Sequence, residues 1–123
     1  MKLLVVDDDR HAAETLCEIL RDIGHQCVAA MTTEAALKIG RSDGIGLAVI
    51  DVNLGVGIDG ISLARLLRTR SGIPTLFISG SSSPAIQMLT REVGVGFVLK
   101  PLTRFALKSA VEDATARLVR TPS

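Results

Sequence analysis

The chain contains no tryptophan, no tyrosine and only three phenylalanines. Its interior must therefore be packed from aliphatic side chains, and there is little from which to build a surface that stacks on nucleic-acid bases. Long apolar runs are missing as well. Those present are short and broken by charge, well below the ~20 residues that a membrane-spanning helix needs. The opening Met1-Lys2-Leu3-Leu4-Val5-Val6 superficially looks like a signal peptide, but its apolar stretch stops at Asp7, far short of an h-region. The expected compartment is the cytoplasm. Cysteine is scarce too: Cys17 and Cys27, with no second pair and no suitably spaced histidine, match no common zinc pattern. They are expected to be small buried hydrophobes with free thiols.

A strong overall field is also lacking, since the net charge is +1 over 123 residues. The distribution is uneven: residues 1–60 carry 5 Lys/Arg against 10 Asp/Glu, and residues 61–123 carry 9 against 3. The basic half is spread over several helices without interleaved aromatics, so nucleic-acid binding has little support. The length suits one domain with one core.

What is present is an alternation of short apolar strands and amphipathic helices. Lys2–Asp7 reads as a buried strand, followed by a helix over about 10–23 with Ala13, Leu16, Leu20 and Ile23 on one face and Gly24 at its end. Gln26–Ala30 is a weaker second strand, and 33–41 a second helix opened by Thr32 or Thr33. Leu47–Asp51 is the third strand, Gly55–Gly60 a glycine-rich loop, and Ile61–Arg70 a helix burying Ile61, Ala64 and Leu67. Pro74–Ser79 is a fourth strand. Pro84 then occupies a helix first turn after a serine able to cap, placing Ile86, Leu89 and Val93 together. Phe97–Leu99 is a short fifth strand, and a last helix spans about 103–119 with Leu107, Val111, Ala114 and Leu118 inward. Residues 1–119 form the domain, and 120–123 a tail or the start of a linker.

Five strands alternating with five helices imply a parallel sheet covered on both faces. Right-handed crossovers make this a doubly wound, flavodoxin-like α/β sandwich with strand order 2-1-3-4-5. Ligand sites in such sheets lie beyond the carboxyl ends of the strands, near the switch between strands 1 and 3. This chain puts Asp7-Asp8-Asp9, Asp51, Ser79 and Lys100-Pro101 at those ends. Clustered carboxylates repel, so they demand a cation or a raised pKa. An oxygen-only set suits Mg²⁺. Asp9 is the one expected to cap the first helix instead.

Val5-Val6-Asp7-Asp8-Asp9, Val49-Ile50-Asp51-Val52-Asn53, Ile78-Ser79-Gly80 and Leu99-Lys100-Pro101 together resemble the four signature segments of response-regulator receiver domains of two-component signalling systems, from about Lys2 to Leu118. The resemblance implies a phosphoprotein rather than a metabolic enzyme, one that promotes its own phosphorylation and dephosphorylation. Asp51 would accept a phosphoryl group from a histidine kinase or a histidine phosphotransfer protein. Asp7, Asp8, Asp51 and the backbone carbonyl of Asn53 would hold Mg²⁺, with Mn²⁺ as an alternative ion. Lys100 would pair with Asp51 and then with a phosphoryl oxygen. Ser79 would bind the phosphoryl group and, with Phe97, couple it to shape, and the Lys100–Pro101 bond would be cis. The face of the fourth helix, fifth strand and fifth helix, with Arg91, Arg104 and Lys108, would meet partners or a second copy. No membrane or nucleic-acid contact is implied for the domain itself.

Phosphoryl transfer asks for these groups on physical grounds: positioning, a carboxylate nucleophile, and cations to neutralise the equatorial oxygens. Gly55-Val56-Gly57-Ile58-Asp59-Gly60 also matches GxGxxG, but it follows the third strand rather than the first and lacks a ribose-binding acid at the right distance. It reads as a flexible turn. It is also where the chain departs from the family, which carries a proline there and one residue fewer. Leu102 replaces an aromatic that often follows Lys-Pro. His11 and His25 read as solvated surface residues. The competing readings are an interaction module whose pocket is unused, and a flavodoxin-like nucleotide-binding protein.

Overall fold

The computed structural model describes residues 1–42, 44–52, 59–80 and 83–120. In chain order the elements are β1 (Lys2–Val6), α1 (Arg10–Asp22), β2 (Gln26–Ala30), α2 (Thr33–Ser42), β3 (Leu47–Asp51), α3 (Gly60–Ser71), β4 (Thr75–Ser79), α4 (Pro84–Val93), β5 (Gly96–Leu99) and α5 (Arg104–Arg120). The strands form one parallel sheet in the order β2-β1-β3-β4-β5. This is the doubly wound arrangement that the alternation predicts.

Both faces of the sheet are buried, which is why the strands read as continuous apolar runs. Successive side chains point to opposite faces. Leu3, Val5, Leu47, Val49, Leu76 and Ile78 pack with Ala13, Leu16 and Leu20 of α1 and Leu107, Val111 and Ala114 of α5. Leu4, Val6, Ala48, Ile50 and Phe77 face the other way, onto Ala36 of α2, Ile61, Leu63, Ala64 and Leu67 of α3, and Val93 of α4.

Local chemistry sets the helix ends. Asp9 caps α1, its carboxylate accepting from the N–H groups of His11 at 2.9 Å and Ala12 at 3.4 Å. The Thr32 hydroxyl accepts from Ala35 N–H at 3.1 Å at the start of α2. Ser83 caps α4 ahead of Pro84. Gly72, in the left-handed region at φ 67°, ends α3 and leads the chain into β4.

Several expectations need correction. Leu89, grouped with the inward face of α4, is 41% exposed; the buried residues of α4 are Thr90 and Val93. The helix touches the sheet mainly through its last turn. Cys17 and Cys27, expected as free thiols, are paired in a disulfide with 5.5 Å between Cα atoms, since α1 lies directly over β2. His25 is half-buried rather than solvated, with its Nδ1 enclosed. The third helix begins at Gly60 rather than Ile61, because Asp59 caps it, accepting from Ile61 N–H at 3.0 Å. Asn53 and 54–58 of the glycine-rich loop lie outside the described residues, as do 121–123 of the expected tail; α5 continues through Arg120. No helix among the described residues is long and apolar enough to cross a membrane.

Candidate functional site

Strand register brings the polar strand ends to one edge of the sheet. Val6 pairs with Ile50, Asp51 with Ile78, and Ser79 with Leu99, so the residues at or just past these positions share one level. Asp51 closes β3 and is 7% exposed. Burying a carboxylate so deeply is costly unless it is paired. One partner is Lys100, just past β5, whose Nζ donates to Asp51 Oδ2 at 2.6 Å. Lys100 itself is 42% exposed along its side chain, so its ammonium lies at the mouth of the site. Its backbone N–H donates to the Ser79 carbonyl at 2.8 Å, and the peptide bond to Pro101 is cis.

Asp7 follows β1 and is half-buried. Its carboxylate accepts the Asp9 N–H at 3.0 Å, folding the first turn of α1 over the site. Burial holds the Asp7 carboxyl above the usual carboxylate range despite that bond, and the Asp51 charge pushes the same way. Its neighbour Asp8 is exposed. The hydrogen bond to Asp51 raises Lys100 above the ordinary lysine value, with burial opposing and the Asp51, Asp7 and Asp8 charges adding to the rise. The edge is thus an acidic cleft with one ammonium in it.

Ser79 is fully buried at the end of β4. Phe97 pairs in register with Phe77 and packs, partly buried, against the core under α3 and α4. Asp7, Asp51 and Lys100 line a cavity of about 70 Å³ whose other walls are Val6, Ala12, Leu16, Ile78 and Leu102. Sequence reasoning passed over Ala12 as a wall of the site. Its only signal was its place one turn before Leu16 on the buried side of α1. Leu102 is half-buried against the core under α1 and α5.

The oxygen donors of this cleft fit a small hard cation, which takes one or two carboxylates and completes its shell with water. Among the described residues no three His, Cys, Asp or Glu side chains close on one point as a metal cluster. An ion here would be held mainly through water and a few carboxylate oxygens. The Asn53 carbonyl lies outside the described residues. Of the GxGxxG stretch, Asp59 and Gly60 are described, and they cap and open α3.

Comparison with known proteins identifies the family and the fold. The family model of the response regulator receiver domain matches residues 3–112. The chain is 34% identical over 113 residues to the response regulator protein FleR of Pseudomonas aeruginosa, covering 89% of this chain and 24% of that protein. It is 33% identical over 120 residues to the DNA-binding response regulator MtrA of Mycolicibacterium smegmatis, covering 97% of this chain and 51% of that protein. The chain therefore spans about a quarter of one relative and about half of the other. Among solved structures, the N-terminal domain of a response regulator/sensory box/GGDEF protein from Carboxydothermus hydrogenoformans superposes with a TM-score of 0.85 at 31% identity, covering 97% of each chain. TrrA of Thermotoga maritima, solved in complex with Mg²⁺ and BeF, superposes with a TM-score of 0.80 at 25% identity, covering 92% of this chain and 97% of that one.

Proposed function

The chain belongs to the response regulator receiver domains, and from that premise we propose that it accepts a phosphoryl group on Asp51 in a Mg²⁺-dependent reaction. The observation that carries this reading is the buried Asp51 carboxylate held by Lys100 at 2.6 Å beside the acidic end of β1. A carboxylate oxygen of Asp51 attacks phosphorus in line. The bond from phosphorus to the donor breaks, and the donor leaves with the electron pair; for a phosphohistidine, the imidazole nitrogen then takes a proton. Lys100 is placed to follow the charge from Asp51 to a phosphoryl oxygen as a compact cation. Asp7, Asp8, Asp51 and the Asn53 carbonyl would hold Mg²⁺, or Mn²⁺, which supplies neutralisation of the phosphoryl oxygens. The phosphodonor is a sensor histidine kinase or a histidine phosphotransfer protein, and the compartment is the cytoplasm.

Ser79 and Phe97 would relay the change. Ser79 ends the strand next to β5, and Phe97 lies on β5, between the core and a groove of about 640 Å³ that runs along the strand between α4 and α5. Arg91 and Arg117 flank that groove, and Arg104 and Lys108 stand exposed on α5. A hydroxyl drawn toward a new phosphoryl group, with the ring rotating behind it, alters that face, where a partner or a second copy would bind.

The test is incubation of the full chain with Mg²⁺ and acetyl phosphate, followed by intact mass measurement. One phosphoryl mass is expected, and none when the metal is chelated before acetyl phosphate is added or in Asp51→Asn. Absence of an adduct with both acetyl phosphate and a phosphorylated kinase would leave the chain as an interaction module that ignores phosphate.

A further inference from the structure

Gly60 opens α3, yet its backbone does not need a glycine. The positive-φ glycines among the described residues are Gly24, Gly44 and Gly72, and Gly60 is not one of them. Glycine is also the poorest helix former after proline. Its presence needs a different reason, and packing supplies one. A Cβ at position 60 would lie 2.8 Å from the Asp51 carbonyl oxygen, 3.1 Å from Ile50 Cγ2 and 3.3 Å from Val52 Cα. Two of these three atoms are backbone and cannot swing aside. The third belongs to a fully buried core residue.

The same peptide is held from its other side. Val52 N–H donates to the Ile78 carbonyl at 2.8 Å, and Asp51 is in register with Ile78. Helix α3 in turn cannot lift away freely, because Ile61, Leu63, Ala64 and Leu67 are buried in the core beneath it. The last peptide of β3 is therefore clamped between β4 and the first turn of α3. That contact exists only because residue 60 has no side chain.

We propose that Gly60 is a positioning residue for Asp51: by admitting α3 to direct contact with the Asp51–Val52 backbone, it sets where the carboxylate meets Lys100 and an incoming phosphoryl group. The inference rests on the phosphoacceptor reading and deepens it. A methyl group at position 60 forces the two backbones apart until the 2.8 Å approach reaches ordinary contact, beyond 3.4 Å. The displacement falls on the nucleophile, and a misplacement of about 1 Å costs on the order of a hundredfold in rate.

The experiment compares wild type, Gly60→Ala and Asp59→Ala as full chains. Phosphorylation by acetyl phosphate with saturating Mg²⁺ is followed by intact mass as a function of acetyl phosphate concentration. Asp59→Ala removes the α3 cap, including its bond to the Ser62 hydroxyl at 2.8 Å, and serves as the control for loss of stability alone. The expected result is a cooperative melt for Gly60→Ala, with a maximal rate at least about tenfold lower and a half-saturating concentration little changed. Asp59→Ala should keep its maximal rate within about twofold. Wild-type speed in Gly60→Ala, or an equal loss in Asp59→Ala, overturns the inference. Should Gly60→Ala fail to fold, Ile50→Leu is added, which removes the Cγ2 methyl behind the side-chain contact while keeping the side-chain volume. If that pair also lacks a cooperative melt, Gly60 serves folding and the proposal is overturned. A wild type that takes no phosphoryl group removes the phosphoacceptor reading and the inference together, which sets it apart from a fast Gly60→Ala.

Discussion

Gly94, between α4 and β5, is the place where a single methyl group should do most damage to the fold. Its backbone is extended, with φ −103° and ψ 172°, so alanine meets no conformational penalty there. The penalty is steric. An added Cβ would sit 2.6 and 2.7 Å from two ring carbons of Phe77 and 2.9 Å from the Thr75 carbonyl oxygen. Phe77 is fully buried, so its ring cannot turn out into solvent. Overpacking of a closed core costs about 1–3 kcal/mol, and three contacts this short, one of them to backbone, argue for about 2–3 kcal/mol. Unfolding entropy of about 2.1 cal/mol/K per residue gives about 0.26 kcal/mol/K for the chain, or about 4 °C per kcal/mol. Gly94→Ala should therefore melt about 8–12 °C below wild type by circular dichroism or calorimetry.

Gly96 offers the contrast. A Cβ there meets Leu76 Cδ1 at 2.7 Å, the far end of a side chain with other rotamers, so Gly96→Ala should cost less. A double-mutant cycle isolates the cause. Phe77→Leu removes the ring edge and should be at least about 1 kcal/mol less costly in the Gly94→Ala background than alone. A melting point for Gly94→Ala within about 2 °C of wild type, or a cycle with no coupling, would refute the steric reasoning.

Two further outcomes follow from buried polar atoms. The Thr75 hydroxyl is enclosed and has no hydrogen-bond partner among the described residues, so Thr75→Val should raise stability by about 1 kcal/mol, read as a higher denaturant midpoint at unchanged slope. Burial, assisted by the neighbouring N-terminal ammonium, lowers the His25 pKa below 6.5 against a weaker opposing pull from Glu112. A histidine held neutral in the fold adds stability that is complete above 6.5 and is lost as pH falls through its lower folded value. Unfolding free energy measured from pH 8 down to pH 5 should decline over that window, and His25→Gln should flatten the decline.

Much of this architecture is legible in the chain because its causes are local. Apolar strands that alternate sides, helices with one apolar stripe, and caps such as Asp9 and Ser83 depend on residues a few positions apart. Strand order and the level of the strand ends then follow from handedness and register. Asp7, Asp51, Ser79 and Lys100 could for that reason be assigned to one edge from the sequence, and the family match over residues 3–112 agrees with the resemblance they carry.

Distances between remote elements were decided by tertiary packing. Asp51 and Lys100, 49 residues apart, meet at 2.6 Å, whereas the cluster at their edge does not close into a three-ligand metal site among the described residues. The pairing of Cys17 with Cys27 depends on how α1 lies across β2, which no spacing rule for cysteines contains. Leu89 has the period of a core residue and is exposed because α4 meets the sheet mainly at its end. Gly60 reads as a loop glycine, and only the packed structure reveals the carbonyl at 2.8 Å that excludes a side chain there. Periodicity tells which face of an element is apolar; how far that face travels before it meets another is settled by everything packed behind it.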